Sequence, residues 1–197
     1  MIHVLFVCTG NTCRSPMAEA MLRRLVEQEG LPIDIKSAGV STSAGIPTSE
    51  KAKQALLAKG ITFSGQSEPV TANLLDWAHY ILTMTESHKQ TIALNHPQVM
   101  DKVYTLKQLA WIDDKHEALL AQLDQYIAEL QTQFQLGQPL DEELRKKAIE
   151  LEEQLPDFDI VDPFGGSQQH YDEAAQEIEQ AVISILEKFK HIIAKQD

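Results

Sequence analysis

Ile2 to Val7 is a nearly unbroken apolar run rich in β-forming residues. A short run of that kind predicts a strand covered on both faces, as in a parallel sheet. It gives way to the polar turn Thr9-Gly10-Asn11-Thr12. Beyond the turn, Met17, Ala20, Met21, Leu22, Leu25 and Val26 keep helical spacing. Ser15 and Pro16 predict the start of that helix, as N-cap and first helical residue, and Gly30 predicts its end. Further strands are expected at Ile33–Lys36, His79–Met84 and Lys102–Thr105. Helices are expected from Thr48 or Ser49 to Gly60 and from Glu86 to Leu94. A long last helix over Gln168–Ala194 carries Ala174, Ile178, Ala181, Val182, Ile185, Leu186, Phe189 and Ile193 on one stripe. Four strands alternating with helices predict an α/β fold with a parallel sheet and right-handed crossovers.

The stretch from Asp113 to Leu155 breaks this rhythm. Leu119, Leu123, Tyr126 and Leu130 step by four, three and four, and Leu144, Ala148, Leu151 and Leu155 follow after Gly137-Gln138-Pro139. That pattern predicts two amphipathic helices joined by a tight turn, a helical hairpin. Such a hairpin is either an ordinary pair of surface helices or a surface for a partner or a second copy.

Composition narrows the functions. The chain has 197 residues, is 43% hydrophobic and carries a formal charge of −12. It is too apolar for wholesale disorder. Its acidity argues against nucleic acid as the main partner, which clustered Lys and Arg would bind. Between Asp113 and Leu155, eleven acidic residues face four basic ones, so −7 of the −12 belongs to the hairpin. The charge therefore says little about a small phosphorylated substrate, which needs only one local positive site. Cys8 and Cys13, with four residues between them, are the whole cysteine set and cannot staple a fold. No signal peptide is expected, because the first apolar run is short, lacks a basic leader and contains His3. No membrane span is expected either, so the default expectation is a cytoplasmic protein.

The chemistry concentrates in Cys8-Thr9-Gly10-Asn11-Thr12-Cys13-Arg14-Ser15-Pro16, between the first strand and the first helix. Open α/β sheets bind ligands at this end of their strands. A helix N-terminus offers free N–H groups and the positive end of the helix dipole. Thr9, Gly10, Asn11, Thr12 and Cys13 form a small-residue loop whose amides can converge on one anion. Gly10 and Asn11 tolerate the positive φ this requires. Arg14 can close the ring with a bidentate contact to two phosphoryl oxygens. Donors and positive charge around Cys8 favour its thiolate, and Ser15 can donate its hydroxyl to the same sulfur.

The run VCTGNTCRSPMAEA, Val7 to Ala20, resembles the low-molecular-weight protein phosphatases. Ser37-Ala38-Gly39, Leu82-Thr83-Met84-Thr85 and Asp162-Pro163-Phe164 resemble further segments of that family, so the likeness covers nearly the whole chain outside the hairpin. It implies a four-stranded parallel sheet flanked by helices: one phosphatase domain over residues 1–197 with 113–155 as an inserted hairpin. It also implies catalytic roles for Cys8, Arg14 and Asp162. On its own residues, Asp162 follows Ile160-Val161, precedes a proline and has Gly165-Gly166 beyond it, which also suits a plain turn aspartate.

The mechanism implied is two displacements through a phosphocysteine. Asp162 protonates the leaving atom and then activates water, while Arg14 and the loop amides stabilise the phosphoryl oxygens. No cofactor and no metal are required. The seven histidines, His3, His79, His88, His96, His116, His170 and His191, lack metal-ligand spacing and read as structural or solvent-facing.

Two positions bear on the substrate. Thr12 stands where tyrosine-specific relatives usually carry a bulkier aliphatic residue. A roomier, more polar pocket suits a planar guanidinium better than a phenyl ring. The acid loop offers Phe164 as its single aromatic, where tyrosine phosphatases often have two. CTGNTCRS with DPFGG thus looks like the bacterial protein-arginine phosphatases, acting on phosphorylated proteins. Phosphotyrosine is the alternative, and a phosphate-binding adaptor without catalysis is a third reading. Arsenate reductases share the fold but relay a disulfide to downstream cysteines absent here. Cys13 resembles the family's backdoor cysteine, able to pair reversibly with Cys8, and a small packed side chain is the equal alternative.

Overall fold

A computed structural model describes residues 1–195 of the chain. Its elements run β1 Ile2–Cys8, α1 Arg14–Glu29, β2 Ile33–Gly39, α2 Glu50–Ala58, α3 Ala72–Trp77, β3 Tyr80–Thr83 and α4 Glu86–Asn95. A 3-10 turn at Pro97–Lys102, β4 Val103–Thr105, α5 Leu106–Trp111, α6 Asp114–Gln135, α7 Glu142–Glu152 and α8 Gln168–Ala194 complete the chain. Among the described residues, 1–111 and those from 158 onward form one compact unit, and 112–157 another.

The first unit is an α/β fold around a four-stranded sheet of order β2-β1-β3-β4, with every pairing parallel. The apolar run of β1 is explained by its place between two neighbours and two layers. Val4, Phe6 and Cys8 face a core completed by Met17, Met21 and Leu22 of α1, Leu56 of α2, and Ile178, Val182, Ile185 and Phe189 of α8. Leu5 and Val7 point the other way, into a core with Leu74 and Leu75 of α3, Ile81 of β3, and Ile92 of α4. Full burial of each such large aliphatic or aromatic side chain contributes about 1.5–3 kcal/mol. The register places Cys8 opposite Gly39 and Val7 opposite Thr83, so three strand ends meet at one edge.

Differences from the sequence expectation are local. The first helix begins at Arg14 with Cys13 as its N-cap, so Ser15 and Pro16 already lie inside its first turn. Proline is tolerated there because its missing N–H would have had no partner. The short helices α3 and α5 were not anticipated: six residues are too few to establish a helical period. Among the described residues, no helix is long and apolar enough to cross a membrane.

The second unit is the helix pair α6 and α7. Asp113 caps α6 by accepting from His116 N–H, and Asp141 caps α7 by accepting from Glu143 and Leu144 N–H. Gly137 turns the chain between them with φ 65°. Leu123 and Ala148 are the buried apolar residues, while Ile127, Phe134 and Ile149 stay exposed.

Candidate active site

Cys8 ends the central strand β1 and is buried. Its Sγ lies 3.0 Å from Ser15 Oγ and accepts Asn11 N–H at 3.2 Å. Asn11 is the one non-glycine among the described residues with a positive φ, 52°. Asparagine adopts that conformation at modest cost, and here its side chain adds a reason. Its Nδ2 donates to Ser15 Oγ at 3.0 Å and to Ser37 Oγ at 2.8 Å, while its Oδ1 accepts Glu68 N–H at 2.8 Å. Ser37 in turn donates to Glu19, whose other oxygen pairs with Arg23 at 2.7 Å. Gly39 of β2 sits directly behind the loop: a Cβ there would stand 2.7 Å from Thr9 O and 3.1 Å from Asn11 N.

Arg14, the first residue of α1, is 5% exposed at its side chain and reaches across to the segment before α8. Its Nη1 donates to Ile160 O at 3.2 Å, and its Nη2 to Asp162 Oδ2 at 2.7 Å. That segment is anchored upstream of the aspartate. Ile160 N–H donates to Met84 O, Lys107 Nζ donates to Asp159 O, and Val161 N–H donates to Glu177 Oε2. Asp162 itself is 52% exposed. Its Oδ1 accepts Phe164 N–H at 3.1 Å, and Gly166 N–H closes the turn on Pro163 O. Gly165 takes φ 76° there. Phe164 is 79% exposed on the outside of this turn.

Gly10 and Thr12 form the partly exposed rim of the loop. Thr12 O accepts Ser49 N–H at 2.9 Å, which ties the loop to the start of α2. The Cys13 thiol donates to Ser49 Oγ at 3.5 Å and lies 3.3 Å from Tyr171 OH of α8. Burial and the bond to Cys13 push the Tyr171 phenol up, so it stays protonated at neutral pH. Both cysteines are free thiols.

The structure also brings in residues that sequence reasoning left aside. His88, buried in the first turn of α4, holds Thr9 Oγ1 at 2.8 Å with its Nε2. Its Nδ1 lies 2.8 Å from Thr85 Oγ1, the N-cap of the same helix. Burial, seconded by the Arg14 charge, lowers its pKa to about 4, against the opposing pull of Asp162 and Asp159. The imidazole is therefore neutral at pH 7. The only sequence signal for it was its place just after the third strand, on the edge where Cys8 lies.

The site thus gathers a buried sulfur beside the Asn11 amide and the Ser15 hydroxyl, a guanidinium, and a half-exposed carboxylate across one strand edge. Such a set can hold a tetrahedral dianion, attack it from the sulfur and exchange a proton with a departing group. The family described as low molecular weight phosphotyrosine protein phosphatase matches residues 3–155. Asp162 and Phe164 lie beyond that matched stretch. A curated relative from Bacillus subtilis (strain 168), named protein-arginine-phosphatase, is 39% identical over 150 residues, 76% of this chain and 97% of its own. The solved YwlE arginine phosphatase from Geobacillus stearothermophilus superposes with a TM-score of 0.73 at 32% identity, covering 100% of this chain and 98% of that one. Another solved YwlE arginine phosphatase carries serine for cysteine, and its active-site serine is phosphorylated. It is 31% identical, with a TM-score of 0.71 and 96% of both chains covered.

Proposed function

The chain belongs to the low molecular weight phosphotyrosine protein phosphatase family and is a phosphoprotein phosphatase, and from that premise we propose that it removes phosphate from phosphoarginine on proteins. The observation that carries the choice is Thr12, half-buried on the rim of the loop with its hydroxyl 3.6 Å from Cys13 Sγ. A short polar side chain leaves width for a planar guanidinium and offers it a partner. The relatives named for arginine phosphatase activity support the same choice.

In this reading Cys8 Sγ attacks phosphorus, the S–P bond forms as the P–N bond breaks, and the departing guanidine nitrogen takes a proton from Asp162. The phosphoryl oxygens displace Asp162 from Arg14 Nη2, and the freed carboxylate takes up a proton from the entering substrate or solvent before donating it to that nitrogen. Asp162, now ionised, takes a proton from water, whose oxygen attacks phosphorus and releases phosphate and the Cys8 thiolate. Arg14 and the amides of Thr9 to Arg14 hold the equatorial oxygens through both steps. The relative with a phosphorylated active-site serine supports a covalent phospho-enzyme. Phe164 borders the entering side chain, and residues 113–155 are an insertion in one phosphatase domain.

The test compares kcat/KM on matched phosphoarginine and phosphotyrosine peptides, in wild type and in Thr12→Ile. Wild type is expected to favour phosphoarginine by tenfold or more, and Thr12→Ile to shrink or reverse that ratio. A wild-type preference for phosphotyrosine selects the second reading, which the family's own description favours. No turnover of p-nitrophenyl phosphate at all, in either wild type or Cys8→Ser, would leave only phosphate binding.

A further inference from the structure

The loop from Cys8 to Cys13 is held at its carbonyls by backbone N–H groups, Val40 on Cys8 O, Ser41 on Thr9 O and Ser49 on Thr12 O, and side chains fix the rest of its shape. On one flank Asn11 does so, through Ser15, Ser37 and the Glu68 amide. On the other flank lies Thr9, the residue next to the nucleophile. Thr9 is exposed, and an exposed threonine side chain is ordinarily free to turn. Here its hydroxyl is bonded to His88, which is 6% exposed and fixed at both ring nitrogens by hydroxyl groups. One of those hydroxyls belongs to Thr85, which also accepts His88 N–H. The chain Thr85–His88–Thr9 therefore joins the N-terminus of α4 to the first loop residue whichever ring nitrogen carries the hydrogen.

We propose that His88 is a positioning residue for the phosphatase reaction: through Thr9 it fixes the flank of the phosphate loop that Asn11 does not reach, and so the direction in which the loop amides face the transferring phosphoryl group. This rests on the reading of Cys8 as nucleophile, but not on which phosphoamino acid is the substrate. Amides aligned in advance act on the pentacoordinate state more than on bound substrate. Loss of alignment is therefore read in kcat rather than in KM.

Steady-state kinetics on p-nitrophenyl phosphate decide the matter. His88→Phe, which keeps a ring and loses both bonds, and Thr9→Val, which keeps the shape and loses the hydroxyl, should each lower kcat by about tenfold with KM moved less than twofold. The double variant should be no slower than the slower single, because both break one link. His88→Gln, whose amide can reach Thr9, should recover several-fold of the kcat lost in His88→Phe. Additive losses, a KM change at constant kcat, or His88→Gln no better than His88→Phe would overturn the assignment. Should His88→Phe lose its fold on heating scans, Thr9→Val against Thr9→Ser decides, since both lie on the surface. Equal kcat for those two overturns it. A Cys8→Ser variant run alongside separates this failure from failure of the nucleophile assignment, which residual turnover in Cys8→Ser would signal.

Discussion

The two halves of the site are built differently. In the nucleophile loop Cys8, Asn11, Cys13, Arg14 and Ser15 are buried, and Asn11, Arg14 and Ser15 are held from β2, the Glu68 segment and the acid segment. The acid loop is pinned at Asp159 to Val161, then becomes exposed at Asp162 and Phe164. Charge binding needs donors aligned before the anion arrives, because realignment would cost what binding gives. Proton exchange needs a carboxyl that can trade partners, first Arg14, then the leaving group, then water. Rigidity belongs to the first task and exposure to the second.

The largest effect expected from breaking this contrast comes at the contact between the halves. Arg14→Lys should lower kcat/KM on p-nitrophenyl phosphate by about 10²–10³, since a point charge cannot serve two oxygens in one plane. Retained activity would remove Arg14 from the phosphoryl clamp. Next comes Asp162→Asn. Its kcat/KM should fall by about 10² or more on a phosphoarginine peptide and by much less on p-nitrophenyl phosphate, whose phenolate departs without a proton. Equal losses on both would contradict the proton-donor role. Stability should show the reverse asymmetry. Asn11→Ala removes three side-chain bonds and the residue suited to positive φ, so urea unfolding should show a loss of about 2–3 kcal/mol. Phe164→Ala, on the exposed turn, should stay within about 0.5 kcal/mol.

A pH slope tests the same contrast. His88 is held neutral in the fold down to about pH 4, while the unfolded chain takes up a proton near 6.5. The unfolded state therefore binds more protons between those values, and stability falls as pH drops from about 6.5 to about 4. Burial and Arg14 oppose the imidazolium, and Asp162 and Asp159 favour it. His88→Gln should flatten this part of the urea-midpoint profile, and an unchanged slope would mean that other groups carry it.

The sequence made the sheet legible because the central strands β1 and β3 leave continuous apolar runs, while edge strand β2 alternates Ile33-Asp34-Ile35-Lys36 and β4 is a short Val103-Tyr104-Thr105. It made the loop legible because Cys8 to Pro16 are contiguous and their chemistry is local. Helices α3 and α5 were not legible, since six residues fall short of two helical turns. Nor were His88, Tyr171 and Glu68 as neighbours of the loop. Each is brought there by tertiary packing from far along the chain, and a lone histidine among seven gives no sign of which strand edge it will meet. The N-cap of α1 was misplaced because Ser15 has the composition of a cap. Its hydroxyl instead serves Cys8 and Asn11.

Gly39 never meets the phosphoryl group, yet it sets the height at which the loop lies. With no side chain, it lets Thr9 O and Asn11 N rest on bare backbone, where a methyl group would stand 2.7 Å and 3.1 Å away. The second strand acts as a shim of fixed thickness under the nucleophile. One added carbon at that position would lift the loop while leaving every group that touches phosphate chemically intact. The position of the loop is thus set from beneath by a residue with nothing to react.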